Sequence, residues 1–283
     1  MVIYSLSVTL KNNQKPRGKL FVLLDTYGYV FMRIILFFFG IIRIKNVHLK
    51  ITDYFTDYAP VQDVRVAPLV VSNHVSFLDM FFYLQKNVSF LSKMDVAKVP
   101  ILGLHSITRQ CIFLNRGSEK ERNVVLDLIK TRADRVLSHG DMSPLLIFPE
   151  GTVTNGRILM NFKKGAFCHG YPLKIYALKY STDRVLIPSL MNIAGAVSAF
   201  ICMNTLYNEI TLYQYDDHFD PEWVFKKYNL DKKDENAWEH VARHVKELMM
   251  FATGFRSTED SFRGTLDFEK ESLTFGKLSN NRL

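Results

Sequence analysis

The sequence predicts an α/β fold: a single central, mostly parallel sheet flanked by helices, with an N-terminal membrane-associated apolar helix or hairpin. Three observations predict it. Apolar runs at residues 69–71, 112–114 and 145–148 each end in a polar turn, as buried strands do where α/β sheets place their chemistry. A helix-period pattern lies between two of them. Val125, Leu128, Ile129, Ala133, Val136 and Leu137 share one face behind a Ser118–Glu121 capping box, and Gly140 closes the helix. Finally, residues 20–42 are apolar almost throughout.

The bulk composition bounds the rest. The chain has 283 residues, enough for one large α/β domain with appendages. With 48% apolar residues it is too apolar for disorder, and a mean hydropathy near zero is too low for a multi-span membrane protein. A net charge of +8 suits an anionic partner, and charge alone does not choose among nucleic acid, an anionic membrane and a phosphorylated substrate. Cys111, Cys168 and Cys202 are far apart and lack metal-ligand spacing, which fits reduced thiols facing the cytosol.

Taken in order, the chain opens with a basic stretch that carries Lys11, Lys15, Arg17 and Lys19. Its apolar part begins near Leu20, too late for a compact secretory signal. Within residues 20–42, Asp25 and Arg33 interrupt the run, and the nine uninterrupted residues 34–42 are too short to cross a bilayer. Arg43, Lys45 and Lys50 make the second flank basic too, so a helix or hairpin lying in one leaflet fits best, with Arg33 snorkelling to the headgroups. Residues 45–66 read as a short strand and an irregular loop, and residues 88–91, 173–178 and 209–213 as further strands. The uncharged stretch 185–208 reads as helices packed on the domain, and 227–236 as a charged, insert-like loop. A helix over 236–252 carries Ala237, Val241, Val245, Leu248 and Met249 in one stripe. The expected units are therefore 1–44 (basic N-terminus and membrane-associated segment), 45–263 (the main domain) and 264–283 (a disordered polar tail).

The chemistry concentrates after the first strand. Ser72-Asn73-His74 leaves the apolar run, and Asp79 follows five residues after His74. Ser76 can N-cap a helix from Phe77, which puts Asp79 in its first turn and within reach of the imidazole. A carboxylate on one ring nitrogen fixes the tautomer and frees the other nitrogen to take a proton. Taken alone, the stretch reads equally well as a capping pattern beside a loop histidine. A metal site there lacks a third ligand. A serine hydrolase using Ser72 or Ser76 lacks the G-x-S-x-G elbow.

Four elements in order decide between these readings. They are Asn73-His74-x-x-x-x-Asp79, then Cys111-Ile112-Phe113-Leu114-Asn115-Arg116, then Phe148-Pro149-Glu150-Gly151-Thr152, then Tyr171-Pro172-Leu173. Their order and spacing resemble the glycerolipid acyltransferase superfamily, whose members move a fatty acyl chain from acyl-CoA to a lysolipid. Thr154-Asn155, Phe162-Lys163-x-Gly165-Ala166-Phe167 and Leu178-Lys179-Tyr180 resemble the lysophosphatidylcholine acyltransferase branch, as do Asp220-Pro221 and His240-Val241-Ala242-Arg243. Tyr176 departs from that branch, where a proline is usual.

The resemblance implies an acyl-CoA-dependent acyltransferase with His74 as general base and Asp79 as its partner. It implies that Arg116, Gly151 and Thr152 hold the acceptor phosphate, and that Glu150 orients Arg116 or bonds a lipid hydroxyl. The implied partners are acyl-CoA, a lysophospholipid or lysophosphatidic acid, and a membrane, the cytosolic face of the endoplasmic reticulum above all. Nucleic acid is not among them. No cofactor is expected beyond acyl-CoA as co-substrate, and no metal. The alternative acceptors are 1-acylglycerol-3-phosphate and glycerol-3-phosphate. A non-catalytic membrane-binding protein on the same scaffold is a further alternative.

Overall fold

The computed structural model describes residues 19–60, 65–86, 88–98, 102–114, 119–140, 142–181 and 207–258. Predictions for residues 1–18, Ser118, residues 185–206 and the tail at 264–283 lie outside the described residues. The described helices are α1 (Lys19–Phe38), α2 (Leu78–Tyr83), α3 (Leu102–Thr108), α4 (Glu119–His139), α5 (Pro221–Tyr228) and α6 (Ala237–Thr253). The strands are β1 (Ile41–Leu49), β2 (Leu69–Val71), β3 (Ser89–Lys93), β4 (Ile112–Leu114), β5 (Leu145–Ile147), β6 (Ile158–Leu159), β7 (Leu173–Tyr180), β8 (Asn208–Tyr215) and β9 (Arg256–Ser257).

Seven of the strands form one sheet in the order β1-β8-β7-β2-β5-β3-β4, and β6 pairs with β9 in a separate ribbon. From β7 through β2, β5 and β3 to β4 every pairing is parallel. β8 runs antiparallel to β7, and β1 runs parallel to β8. The expected central, mostly parallel sheet is present. Its central strands β2 and β5 read Leu-Val-Val and Leu-Leu-Ile and are wholly buried. Parallel strands covered on both faces need apolar residues in continuous runs, which both supply. Since β2 and β5 point the same way, the chain leaves both at one edge, and Tyr180 ends β7 there too.

The N-terminal segment is a helix, and it stops short of the predicted boundary. Gly40, at φ +76°, turns the chain, and Ile41 and Ile42 open β1 instead of closing the apolar segment. Arg33 also differs from expectation. Its guanidinium donates to the carbonyls of Ile41 and Ile42, each at 2.9 Å, and so ties α1 to β1. Met32 and Leu36 are buried, whereas Tyr27, Val30, Ile34, Phe37 and Phe38 are exposed, Phe38 by 66%. No described helix is long and apolar enough to cross a membrane.

Three smaller differences have local causes. α2 starts at Leu78, although Ser76 Oγ still accepts the Leu78 N–H at 3.2 Å. Leu137, assigned to the buried face of α4, is 43% exposed, while Ile129, Ala133 and Val136 are buried. α5 extends two residues into the charged loop predicted at 227–236. Asp220 caps it through the Glu222 N–H at 3.0 Å, Pro221 occupies its first turn, and Asn229 ends it at φ +50°. The predicted stripe on α6 is wholly buried.

Candidate active site

The turn after β2 is held by side chains that stand in for backbone. Asn73 is buried, donates to the Leu178 carbonyl at 2.8 Å and accepts the Leu178 N–H at 2.7 Å. Its amide thus acts as an extra strand residue and fastens the turn to β7. Ser72 Oγ and Tyr83 Oη lie 2.5 Å apart, and the Tyr83 ring stacks on Tyr176. Tyr176, the residue that departs from the family pattern, therefore supports the turn from beneath.

Asp79 is the hub of this turn, with a side chain that is fully buried. One oxygen accepts from His74 Nδ1 at 2.8 Å, from the Val75 N–H at 2.7 Å and from the Ser76 N–H at 2.9 Å. The other accepts from Tyr180 Oη at 2.5 Å. A buried carboxylate needs such donors, because an unpaired charge away from water is strongly destabilising. The predicted pairing of His74 with Asp79 is present. With Nδ1 donating to Asp79, Nε2 is the ring nitrogen left for proton transfer, and the side chain keeps 15% of its exposure. The ring stacks on Phe148 at 4.2 Å between centroids and 12° between planes.

The turn after β5 supports the same histidine from its backbone. Glu150 is 1% exposed. Its two oxygens accept the N–H groups of His74 (2.9 Å) and Met160 (3.0 Å). Among the described residues both oxygens face backbone, so Glu150 positions the peptide of His74. Burial pushes its pKa up to about 7 against the pull of those two amides. Thr154 donates its N–H (2.8 Å) and its hydroxyl (3.2 Å) to the His74 carbonyl. Both peptide groups of His74 are thereby engaged.

Gly151 differs from its predicted role. It sits at φ +72°, but its N–H is donated to the Phe148 carbonyl at 3.0 Å, so this amide closes the turn and is not offered to an anion. A Cβ at Gly151 would stand 2.4 Å from Lys163 Nζ. That lysine therefore stands over the turn. Thr152 lies half-buried beside it. Arg116 lies outside the described residues.

The structure brings His74, Asp79, Glu150, Gly151 and Thr152 to one edge of the sheet. Sequence reasoning missed Asn73, Phe148, Thr154 and Tyr180 as parts of the site. All four had a signal, because each stands in one of the blocks that carry the family resemblance.

Comparison with known proteins bears on the same residues. A family model described as Acyltransferase matches residues 52–176, which include the predicted site residues from His74 to Thr152. Lysophospholipid acyltransferase LPEAT1 of Arabidopsis thaliana is 36% identical over 117 residues, 41% of this chain and 29% of that protein. Lysophosphatidylcholine acyltransferase of Drosophila melanogaster is 28% identical over 218 residues, 75% of this chain and 38% of that protein. This chain thus spans well under half the length of the curated relatives it matches. Among solved structures, the 1-acyl-sn-glycerophosphate (LPA) acyltransferase PlsC of Thermotoga maritima aligns at a TM-score of 0.49 and 15% identity, over 89% of this chain and 88% of that one.

Proposed function

Taking this chain as a member of the glycerolipid acyltransferase superfamily, we propose that it moves a fatty acyl group from acyl-CoA to a hydroxyl of a lysophospholipid. One observation carries the reading. His74 donates Nδ1 to an Asp79 that is itself fixed by three further donors, which leaves Nε2 as a proton acceptor at a sheet edge. The acceptor hydroxyl gives its proton to Nε2 as its oxygen attacks the thioester carbonyl. Asp79 stabilises the imidazolium that forms. The C–S bond then breaks, and the departing thiolate takes the proton back from Nε2. No protein nucleophile is required. Arg116 and Thr152 are proposed to hold the acceptor phosphate, Arg116 through its planar fork of donors.

The site is proposed to work at a membrane surface, on the cytosolic face of the endoplasmic reticulum or an equivalent membrane. The exposed Tyr27, Val30, Ile34, Phe37 and Phe38 support this, since a contiguous apolar face is unfavourable in water. Phe39, at the end of the same segment, packs edge-on against Phe77 at 5.6 Å, next to the helix that carries Asp79. Cytosolic supply of acyl-CoA and unpatterned cysteines support the side chosen. Replacing the exposed Ile34, Phe37 and Phe38 with serine should release much of the protein from sealed vesicles in flotation, and full retention would refute the anchor.

Purified, detergent-solubilised protein incubated with labelled acyl-CoA and a panel of lysolipids tests the reaction. Label appearing in a diacyl phospholipid is the expected result. Label recovered only as free fatty acid, or left wholly in acyl-CoA, would refute it.

A further inference from the structure

A cleft of about 530 Å³ opens one residue beyond the threonine that holds His74. Its walls come from three places: residues 155–158, Lys179 on β7, and the turn that follows α6. Three of its lining residues are cationic, Arg157, Lys179 and Arg256, and none is acidic. The β6–β9 ribbon brings the two arginines onto adjoining chain segments: Ile158 pairs with Arg256, and the Arg256 N–H donates to the Arg157 carbonyl at 3.1 Å. Both arginines are exposed, and neither has an acidic partner among the described residues. Lys179 Nζ donates to the Thr253 carbonyl at 2.7 Å, which fixes the ammonium at the cleft and leaves two of its donors for a ligand.

The cleft is mechanically joined to the reacting centre. Gly156, at φ +67°, abuts the residue after His74. A Cβ there would lie 2.7 Å from Val75 Cγ1. Asn155 follows directly on Thr154, whose N–H and hydroxyl hold the His74 carbonyl.

We propose that this cleft binds the phosphate-bearing nucleotide end of acyl-CoA, through Arg157, Lys179 and Arg256. The inference rests on the acyl-CoA reading above and adds to it the residues that hold the donor. Charge separates the nucleotide end of CoA from a zwitterionic acceptor headgroup. The nucleotide end of CoA carries several negative charges on its diphosphate and 3′-phosphate and no strong cation. A zwitterionic lysophospholipid headgroup would bring its own ammonium into a cleft with no carboxylate to receive it. Two guanidinium forks and an ammonium match phosphate oxygens in number and kind. The volume is in the usual range for a small-molecule site, about 300–1,000 Å³.

The test is the double variant Arg157→Gln/Arg256→Gln, read in two ways on the full chain. First, CoA is titrated calorimetrically into both proteins. The variant should bind CoA about tenfold or more weakly. The wild type should prefer CoA to 3′-dephospho-CoA, and the variant should lose much of that preference. Equal CoA affinity in the two proteins overturns the proposal. Second, steady-state transfer is measured. The apparent KM for acyl-CoA should rise by a similar factor, while that for the lysolipid changes by less than about twofold. A rise confined to the lysolipid KM would assign the cleft to the acceptor and overturn the proposal. A wild type that binds CoA through these arginines but transfers no acyl group would refute the proposed function and leave the cleft assignment standing.

Discussion

Two turns at one sheet edge are each built around a buried carboxylate, and the two carboxylates face different things. In the turn after β2, Asp79 gathers a ring nitrogen, two amides and a tyrosine hydroxyl. In the turn after β5, Glu150 gathers two backbone amides and, among the described residues, no reacting group. Both are almost fully buried. Asp79 acts on the imidazole itself, whereas Glu150 acts on the peptide that carries it. Burial therefore does not tell a carboxylate's task; the identity of its donors does. Loss of Asp79 should damage proton transfer directly, and loss of Glu150 should damage it only through geometry.

The largest effects should fall on the first turn. His74→Ala is expected to lower transfer by about a hundred- to ten-thousand-fold with the fold intact, and Asp79→Asn by somewhat less. Single-turnover acyl transfer beside circular dichroism checks both. Retained turnover in a folded His74→Ala protein would remove the histidine from the mechanism.

An intermediate effect is expected of Glu150→Gln. One amide nitrogen of the glutamine would face a backbone N–H, donor against donor, so transfer should drop by about ten- to a hundredfold. The same variant sharpens the comparison through pH. The Glu150 pKa is raised to about 7, so the folded state holds its proton more tightly than the unfolded chain does. That contribution to stability is fully present below the ordinary carboxylate range and is lost as pH rises through about 7. Denaturant unfolding of the wild type should therefore lose stability on the order of 2 kcal/mol from pH 5 to pH 8 relative to Glu150→Gln. Parallel pH profiles for the two proteins would contradict the assignment.

The smallest effect belongs to Tyr180→Phe. It removes one of four donors to Asp79 and leaves the imidazole contact, so kcat should fall by about three- to tenfold with the acyl-CoA KM unchanged. A fall as large as that of Asp79→Asn would mean that Tyr180 reaches the substrate.

What the sequence allowed followed the range of each interaction. β2, β5 and the His74–Asp79 pair were legible, because a short apolar run and a five-residue separation are local facts. The α6 stripe was legible for the same reason. Asn73 was not, since its task is to bond a backbone 105 residues away. Tyr180 lies 101 residues from Asp79 and became a partner only once β7 settled beside β2. Glu150 is legible as a turn residue, but nothing local reveals the amides of His74 and Met160 that it accepts. Arg33 reads in the sequence as a cation snorkelling to the headgroups, because the Ile41 and Ile42 carbonyls come within its reach only through the Gly40 turn.

The central claim is that the first turn commits Nδ1 of His74 to Asp79 and leaves Nε2 for the reacting hydroxyl. Imidazole ¹⁵N NMR on histidine-labelled protein, with the His74 signals identified by their loss in His74→Ala, tests it most directly. In the neutral ring, Nδ1 should give the shift of a protonated nitrogen and Nε2 that of a bare one, and Asp79→Asn should disturb this arrangement. A neutral ring protonated at Nε2 in the wild type would contradict the claim.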